Sequence, residues 1–478
     1  MRDRHGAGLL AAGWLVLAGC SLAPTYERPA APVAPDWPTA PPPTAPNAVP
    51  AQDLGWRDVM GDARLQALVA LALASNRDLR LTSLNVDLAR ARFGIQRAAL
   101  FPEVDATGNF IRSRTPLDQS VIGQPYTSSQ WNAGVAITAW ELDLFGRVRN
   151  LKDAALETWL GTEEARRGAS LSLVAETADL YLLTRALDEQ EELARRTLDL
   201  VTTSYRLTKR RYEVGQVSEL DLRTSEVQVE TAHVNLASLA QQRSQAEDAL
   251  VLLVGQPLPQ DLPPPAPLDA SGILADIPAG LPSDLVERRP DVLAAEHDLK
   301  AANANIGAAR AAFFPSITLT AFAGLSSVQL GSLFDQTSGA WLFTPKVNLP
   351  IFTAGRNTAN LEAAKIERQI AVARYEKAIQ VAFREVADAL AARGQIETQI
   401  EAGAARVAAG QRRYELADLR FRKGVDSSLV VLSAQQDLFA FQELLVKARL
   451  ARLENLIDLY RALGGGWLER TRTRTAGE

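Results

Sequence analysis

Few side chains in this 478-residue chain are suited to catalysis or to metal binding. Histidine occurs three times, at His5, His233 and His297, and these positions are far apart in the sequence. Zinc sites built from His and Cys need closely spaced ligands, and the sequence has no such spacing. Carboxylate pairs such as Glu163-Glu164 lie in helical charge runs and are typical of a solvated helix face. We therefore predict that the protein is not an enzyme and holds no metal or cofactor.

The single cysteine, Cys20, is placed for attachment of a lipid. Arg2 and Arg4 precede an apolar run over 9–18, which is too short to span a bilayer as a helix and is typical of a secretory signal. The run ends in the sequence LAGC, which resembles the lipobox of bacterial lipoproteins. We predict a signal peptide over 1–19 and a mature chain that is lipidated at Cys20, with no partner cysteine for an intrachain disulfide.

The overall composition excludes several classes of protein. Hydrophobic residues make up 47% of the chain and charged residues 22%, which excludes a disordered chain and a helical membrane protein. A net charge of −5 leaves no basic surplus for binding nucleic acid. Because no run of about 18 uncharged apolar residues follows the signal, any membrane crossing by the mature chain would be made of β-strands.

Proline placement divides the mature chain. Ten of the 25 prolines lie between 24 and 50, and nine lie between 257 and 290. The first group predicts an extended spacer after the lipid anchor, and the second a linker between two halves. The tracts 126–256 and 351–478 contain no proline, so long helices are expected there.

The two halves of the chain repeat. With an offset of 213 residues, 89–102 aligns with 302–315, and both segments end in Phe-Pro. With an offset of 209, 146–255 aligns with 355–464 through shared Gly-Arg, Arg, Ser, Leu and Gly positions. Identities in a fixed register over this length indicate an internal duplication, and two copies with so long a period exclude a solenoid.

A period of two marks strands between the aligned helical segments. Odd-numbered residues from Trp131 to Ala139 are apolar, and the alternation places Trp140 with Asn132 on the opposite face. Trp341 begins a similar pattern in the second half. We expect Trp131 and Trp341 to belong to an aromatic belt at the membrane interface, the alternative being packing in a soluble core.

The helical period returns after each strand pair. Each long helical run ends at a glycine, Gly215 or Gly424, which is expected to cap the helix, and Ser218 or Ser427 is expected to cap the next one. The predicted organisation is a signal peptide over 1–19; a lipid-anchored, Pro-rich extended segment over 20–60; a first repeat over 61–256 with strands 103–115 and 129–142, a long helix 147–213 and a helix 218–254; a linker over 257–282; a second repeat over 283–466 with strands 316–328 and 340–350, a long helix 356–422 and a helix 427–463; and a tail over 467–478.

Four segments resemble the outer-membrane factors of tripartite efflux and secretion systems, the TolC-like channels, and among these the lipoprotein branch of OprM/NodT type. The segments are LPSDLVERRPDVLAAEHDLKAANANIGAARAAFFPSITL (281–319), the turns RYEVGQVSELDL and RFRKGVDSSLVVL, and the closing LYRALGGGW. The resemblance implies an α+β membrane protein, a homotrimer whose 12-stranded barrel takes four strands from each chain and continues into a long periplasmic helical barrel.

The same resemblance implies the function and the partners. Such a channel would be a lipid-anchored outer-membrane duct through which drugs or other small molecules leave passively. Substrate would come from an inner-membrane pump of RND or similar type through a periplasmic adaptor, the membrane fusion protein.

The resemblance also implies a gate at the periplasmic helix turns. Phe421 stands where a Tyr is usual, and Ser433 stands where the OprM-like branch has an Asp. The first cannot donate a hydroxyl hydrogen bond and the second cannot supply a charge, so a triple constriction by Leu429 is the better candidate. The positions matching the family's gate are Tyr212, Asp221, Arg420, Phe421, Leu429 and Ser433.

Two alternatives remain open for these turns. Tyr212 and Phe421 fit either a gate or a helical core, and Asp221 fits either a gate or a first helical turn, where the helix dipole favours an acid. Adaptor contact is expected at exposed turn positions, namely Val214, Gly215, Ser218, Gly424, Val425 and Ser427. The competing function is a lipid-anchored periplasmic scaffold of long helices without a pore.

Overall fold

The structure is a computed structural model that describes residues 21–39, 49–274, 277–280, 282, 285 and 288–471. The expected signal peptide and the lipidated Cys20 lie outside these residues. The described chain falls into two units. The first comprises the residues up to Ala30, Asn85–Glu163 and Ala294–Tyr375, and the second comprises Ala31–Leu84, Glu164–Leu293 and the residues from Glu376 onwards.

Long helices and one four-stranded sheet account for most of the described chain. The helices are α1 (Ala63–Ser75), α2 (Arg77–Ala98), α3 (Arg147–Glu213), α4 (Glu219–Val254), α5 (Pro290–Ala311), α6 (Arg356–Arg422) and α7 (Ser428–Ala462), with a single helical turn at Trp56–Val59. The strands are β1 (Asp105–Thr115), β2 (Tyr126–Leu142), β3 (Ser316–Ser327) and β4 (Gly339–Asn348).

The helices α3 and α6 are each 67 residues long. At 1.5 Å per residue, a straight helix of this length extends about 100 Å, whereas an ordinary globular helix has about 11–12 residues. Neither helix contains a proline, which would remove a backbone hydrogen bond and clash with the preceding turn. Each helix can therefore continue without a proline break over its 67 residues.

The four strands form an antiparallel sheet in the order β1-β2-β3-β4, within the first unit. Strand β2 starts at Tyr126, earlier than the expected 129, because β1 continues the ladder to Thr115, which lies opposite Tyr126. Each strand pairs with the next in sequence, so the sheet is built from two hairpins joined along β2 and β3.

The N-terminal segment of the first unit is bound along α5. Arg310 donates to the carbonyl oxygen of Leu22 at 3.0 Å, and the Asn303 amide donates to that of Pro24 at 2.7 Å. These two residues and Glu296 are spaced by seven positions on α5, so they lie on one helix face. The segment from Leu22 to Arg28 therefore runs antiparallel to α5, with Leu22 near the end of the helix that leads into β3.

The ion pair at Glu296 fixes the far end of this segment. Arg28 donates from Nε and Nη2 to the two oxygens of Glu296, at 3.1 and 2.9 Å, and the Tyr26 hydroxyl donates at 2.9 Å. Burial alone would raise the pKa of the Glu296 carboxyl, but the hydrogen bonds from Arg28 and Tyr26 hold it below its usual value. The segment thus supplies the charge that a buried carboxylate needs.

Helix α7 carries much of the core of the second unit. Ile457, Leu459 and Tyr460 are almost fully buried, and the Tyr460 hydroxyl donates to the Leu54 carbonyl. Among the described helices, α7 alone is long and apolar enough to cross a membrane. Since a helix in a protein core meets the same criterion, we interpret its apolar character as packing.

An acidic cluster lies between α3 and α7. Burial first, and then repulsion from Asp458 and Glu454 on α7, raises the pKa of Asp179 on α3 from 3.8 to about 7. The Oδ1 atom of Asp179 is buried without a hydrogen-bond partner. Arg461 opposes the shift, but its attraction is smaller than the opposing effects. The folded chain therefore keeps a proton on Asp179 where an exposed aspartate is ionised.

We predict that Asp179 lowers the stability of the fold as the pH rises from 3.8 to about 7. Over this range the unfolded chain releases the proton and the folded chain retains it, so ionisation favours unfolding. The Asp179→Asn variant should raise the free energy of unfolding at pH 8 by roughly 4 kcal/mol and by less at pH 5. Denaturant titration monitored by circular dichroism measures both values.

Asp199→Asn is the matched control, since Asp199 is an exposed aspartate on the same helix. It should give the same small change at both pH values. Equal stabilisation of the Asp179→Asn variant at pH 5 and pH 8 would contradict the assignment.

Candidate functional site

The strand register gives the sheet one apolar and one polar face. In the antiparallel pairs, residues directly opposite each other lie on the same side of the sheet. Phe110 pairs with Trp131, Ala323 with Trp341, and Ala321 with Phe343. The apolar face includes Phe110, Trp131, Ala133, Val135, Ile137, Ile317, Leu319, Ala321, Ala323, Leu325, Trp341, Phe343 and Val347.

This apolar face is exposed in the single chain. Trp341 is 80% exposed and Val347 is 64% exposed. Trp131 stacks on Phe110 with ring centroids 4.2 Å apart. So large an exposed apolar surface marks contact with a membrane or with another chain. Trp131 and Trp341 therefore share the face on which an interfacial belt was expected.

Polar side chains on the opposite face are hydrogen-bonded across the strands. The Asn132 amide donates to the Asn109 side chain at 2.8 Å, and Gln130 donates to Asn132 and to Ser326 at 3.2 Å. These bonds join β1, β2 and β3. A sheet with one apolar and one hydrogen-bonded polar face has the pattern of an outer-membrane barrel around an aqueous interior.

A β-bulge corrects the expected position of Trp140. Ile137 pairs with Ala321 and Trp140 with Leu319, so two residues of β2 lie opposite one residue of β3. Ala139 adopts a positive φ of 51° within this bulge. The extra residue reverses the alternation, which puts Trp140 on the apolar face and not beside Asn132.

The outer strands of the sheet each have an unpaired edge. Within the described residues, β1 pairs with β2 and β4 pairs with β3, and neither has a second strand partner. The free edges expose backbone N–H and C=O groups that could pair with another chain. In a bilayer these groups would have no water to bind.

The two helix turns have the same backbone geometry. Gly215 and Gly424 adopt φ values of 75° and 74°, which a glycine reaches without strain. Tyr212 and Phe421 accept from these glycine N–H groups at 2.9 and 3.0 Å, which closes the helix ends. The space around both glycines is open, so the turns are also accessible to a partner.

The serines after the two glycines differ in their hydrogen bonds. The Ser218 hydroxyl accepts from the Asp221 N–H at 3.2 Å, and the Asp221 carboxylate accepts from the Ser218 N–H, which forms a capping box. Ser427 has the backbone geometry of an N-cap but its side chain accepts no capping bond. Val430 occupies the position of Asp221 in the second turn and cannot complete the box.

Two contacts join the turns to each other. The Ser428 hydroxyl donates to Asp221 Oδ1 at 3.3 Å, and the Arg211 guanidinium lies 4.7 Å from the Phe421 ring centroid. The hydrogen bond from the Ser218 side chain is the main cause that holds the pKa of Asp221 below its usual value. Burial opposes it with a smaller effect, and the bonds from the Ser218 backbone and from Ser428 add to the lowering. Asp221 thus acts as an ionised link between the two hairpins.

The structure separates the expected gate residues into exposed and buried positions. Leu429 is 61% exposed, and Tyr212 is 39% exposed. Phe421 is 7% exposed and packs in a cluster with Ala417, Val431 and Ala434, which favours a core role for it. Ser433 is half-buried.

Charged partners at the turns were missed by sequence reasoning. Arg420 donates to both oxygens of Asp426, at 2.6 and 2.9 Å, within its own turn. Arg413 pairs with Asp437, one helical turn beyond Ser433. Arg420 and Asp426 lie in the same turn, so their spacing in the sequence could have indicated this pair. Arg413 and Asp437 lie on different helices, and only the folded hairpin brings them together.

The expected adaptor-contact residues lie at the turn surfaces. Val214 and Val425 are 70% and 63% exposed and follow the ends of α3 and α6. Val214 extends an exposed stripe on α3, since Leu200 and Leu207 precede it at spacings of seven. An apolar stripe with this period suits packing against another helix.

The capping difference predicts different effects of two matched serine variants. Ser218→Ala should destabilise the first turn of α4 by about 1 kcal/mol, because it removes a capping bond. Ser427→Ala should change the first turn of α7 little. Hydrogen exchange of the backbone amides measures this, with faster exchange at Asp221 in the first variant and unchanged exchange at Val430 in the second. Equal effects in the two turns would be inconsistent with the observed geometry.

Comparisons with known proteins agree with this geometry. The family model for outer membrane efflux protein matches residues 68–256 and 281–465. The chain is 48% identical over 464 residues to the probable efflux pump outer membrane protein TtgC of Pseudomonas putida, covering 97% of this chain and 96% of that protein. It is 44% identical over 455 residues to outer membrane protein OprJ of Pseudomonas aeruginosa, covering 95% of each.

A solved structure gives the same result. The open state of the Neisseria gonorrhoeae MtrE outer membrane channel superposes with a TM-score of 0.87 at 40% identity, covering 95% of this chain and all of that chain. The predicted family and fold class are thereby confirmed. The chain therefore belongs to the outer membrane efflux protein family, and it is an outer-membrane channel protein for export and not an enzyme.

Proposed function

We propose that three copies of this chain form one closed barrel that is the exit duct of an efflux pump. The observation that carries this proposal is the exposed apolar face of a sheet whose opposite face is polar and whose two edges are unpaired. Pairing of β1 in one copy with β4 in the next satisfies both edges. Three copies give twelve strands, with the polar face lining the lumen.

The proposed partners are those of an efflux pump, because the chain belongs to the outer membrane efflux protein family. Relatives such as TtgC are named as outer membrane proteins of efflux pumps. We propose that an inner-membrane pump of RND or similar type supplies the energy and the substrate, and that a periplasmic adaptor, the membrane fusion protein, connects it to this chain. Val214 and Val425 offer exposed apolar contact at the turns, with Gly215, Ser218, Gly424 and Ser427 beside them.

We place the gate at the second helix turn, where Leu429 is exposed at the start of α7. Three leucines around a threefold axis would make an apolar constriction. Adaptor binding opens such a gate if it binds the separated helix tips better than the closed ones. The bond between Ser428 and Asp221 and the Arg211–Phe421 contact would oppose that separation.

A scaffold without a pore does not account for the sheet. A water-exposed scaffold would gain nothing from Trp341 and Phe343 on an open surface. It would also leave the hydrogen-bonded polar face without a solvent-filled interior to line.

Strand pairing between copies predicts a specific cross-link. Asn109→Cys on β1 should form disulfides between copies when combined with one of Ala340→Cys, Leu342→Cys or Thr344→Cys on β4, because all lie on the polar face. Non-reducing gel electrophoresis should show species that end at three chains. The scan of three positions allows for the register between copies.

Asn109→Cys combined with Phe343→Cys is the control, since Phe343 lies on the opposite face. Absence of cross-linking in all three test pairs, or cross-linking that continues beyond three chains, would refute the closed trimer.

The gate assignment predicts a conductance change. Leu429→Ser should raise the conductance of the resting channel in planar lipid bilayers, because a polar side chain hydrates the constriction. Leu220→Ser is the matched variant, since Leu220 is the counterpart of Leu429 in the first repeat and is also exposed. The assignment of Leu429 to the gate would be wrong if Leu429→Ser left the conductance unchanged, or if Leu220→Ser raised it equally.

A further inference from the structure

A cavity of about 180 Å³ lies in the second unit where α3, α4 and α7 meet. Its lining includes Ala194 and Val201 from α3, Ala232 from α4, and Leu432 from α7. All four side chains are buried, so the floor of the cavity is apolar. Engineered apolar cavities of about 150 Å³ bind benzene, and the space here is sufficient for one aromatic ring.

One aromatic side chain is available to contact such a ring. Phe439 lines the cavity and packs against the buried cluster of Leu187, Ala194, Leu239 and Ala246. This packing holds Phe439 against the apolar floor. Aromatic pairs prefer offset or edge-to-face contact at about 4.5–7 Å between centroids, so a ring on the apolar floor could make such a contact with Phe439.

A buried amide gives the cavity its polar specificity. Gln435 on α7 is 5% exposed and lines the cavity, and its Nε2 atom has no hydrogen-bond partner. A buried donor without an acceptor is unfavourable in a folded protein. A molecule in the cavity that presents a carbonyl, ether or hydroxyl oxygen would satisfy this donor.

The cavity lining contains no charged side chain. The polar lining groups are amides and hydroxyls, such as Gln228 and Thr231. A charged ligand would lose its hydration without gaining a counter-charge, so the lining selects a neutral molecule.

We propose that this cavity is a binding site for a small uncharged aromatic molecule with one hydrogen-bond acceptor. The ring lies against Phe439 and the apolar floor, and the acceptor receives the Gln435 Nε2–H bond. Helices α3 and α4 form the first hairpin, whereas α7 belongs to the second, so the ligand bridges the hairpins. Occupancy therefore favours the arrangement in which the cavity exists. Binding in the cavity does not depend on the proposed gate. Only an effect of the bound ligand on channel opening would rest on the proposed gating.

Benzyl alcohol and toluene test the site as a matched pair of probes, since they share a ring and only the alcohol carries an acceptor. The full-length protein in detergent is titrated with each, the free probe concentration is fixed by dialysis, and the methyl resonances of Leu432 and Val201 are followed by NMR. These resonances separate binding in the cavity from partition into detergent. Saturable shifts are expected, with benzyl alcohol binding about fivefold more tightly than toluene.

Gln435→Leu should remove this preference by weakening the alcohol about fivefold while toluene still binds. Gln242→Leu, which changes an exposed glutamine on α4 outside the cavity, should leave both affinities unchanged. Ala232→Leu, which fills the cavity, should abolish the saturable shifts for both probes, and circular dichroism checks that each variant is folded.

Absence of saturable shifts in the wild type would mean that the cavity holds water only and would overturn the proposal. An alcohol preference that survives Gln435→Leu would overturn the role of the amide. Neither result depends on conductance, so failure of this site is distinguishable from failure of the proposed channel.

Discussion

Unpaired backbone groups at the edges of the four-stranded sheet are the constraint on which the rest of the molecule depends. In water, β1 and β4 could each leave an edge solvated, but in a bilayer every N–H and C=O needs a partner within the protein. The sheet has only four strands, so its edges cannot be satisfied by local closure. The apolar face that carries Trp341 needs lipid, and the polar face that carries Asn132 needs water. A barrel closed by several copies provides both, with lipid outside and water inside.

The duplication provides the same elements twice, but the two copies have diverged at their turns. Both long helices end at a glycine with a positive φ, and both have a serine after it. The first turn closes its capping box through Asp221, whereas the second has Val430 at that position and presents the exposed Leu429. The first turn is therefore closed by its own capping box, whereas the second is held by the Arg420–Asp426 ion pair within it and by its contacts with the first.

Two buried polar groups in the second unit lower the stability of the fold because they lack compensating partners. Asp179 keeps a proton against two neighbouring carboxylates, and the Gln435 amide lies in a cavity without a partner. Both lie where α3 faces α7, the element that carries much of the core of the second unit.

The sequence by itself determined the long helices, the turns and the family. Proline-free tracts and repeated glycines predict the helices and turns because they act through local backbone preferences, and the family follows from the resemblance of four segments. The tertiary structure alone decided the position of Trp140, the burial of Phe421 and the environments of Asp179 and Gln435. A bulge changes strand register only through the partner strand, and burial depends on which distant helix covers a side chain, so neither is encoded in local spacing.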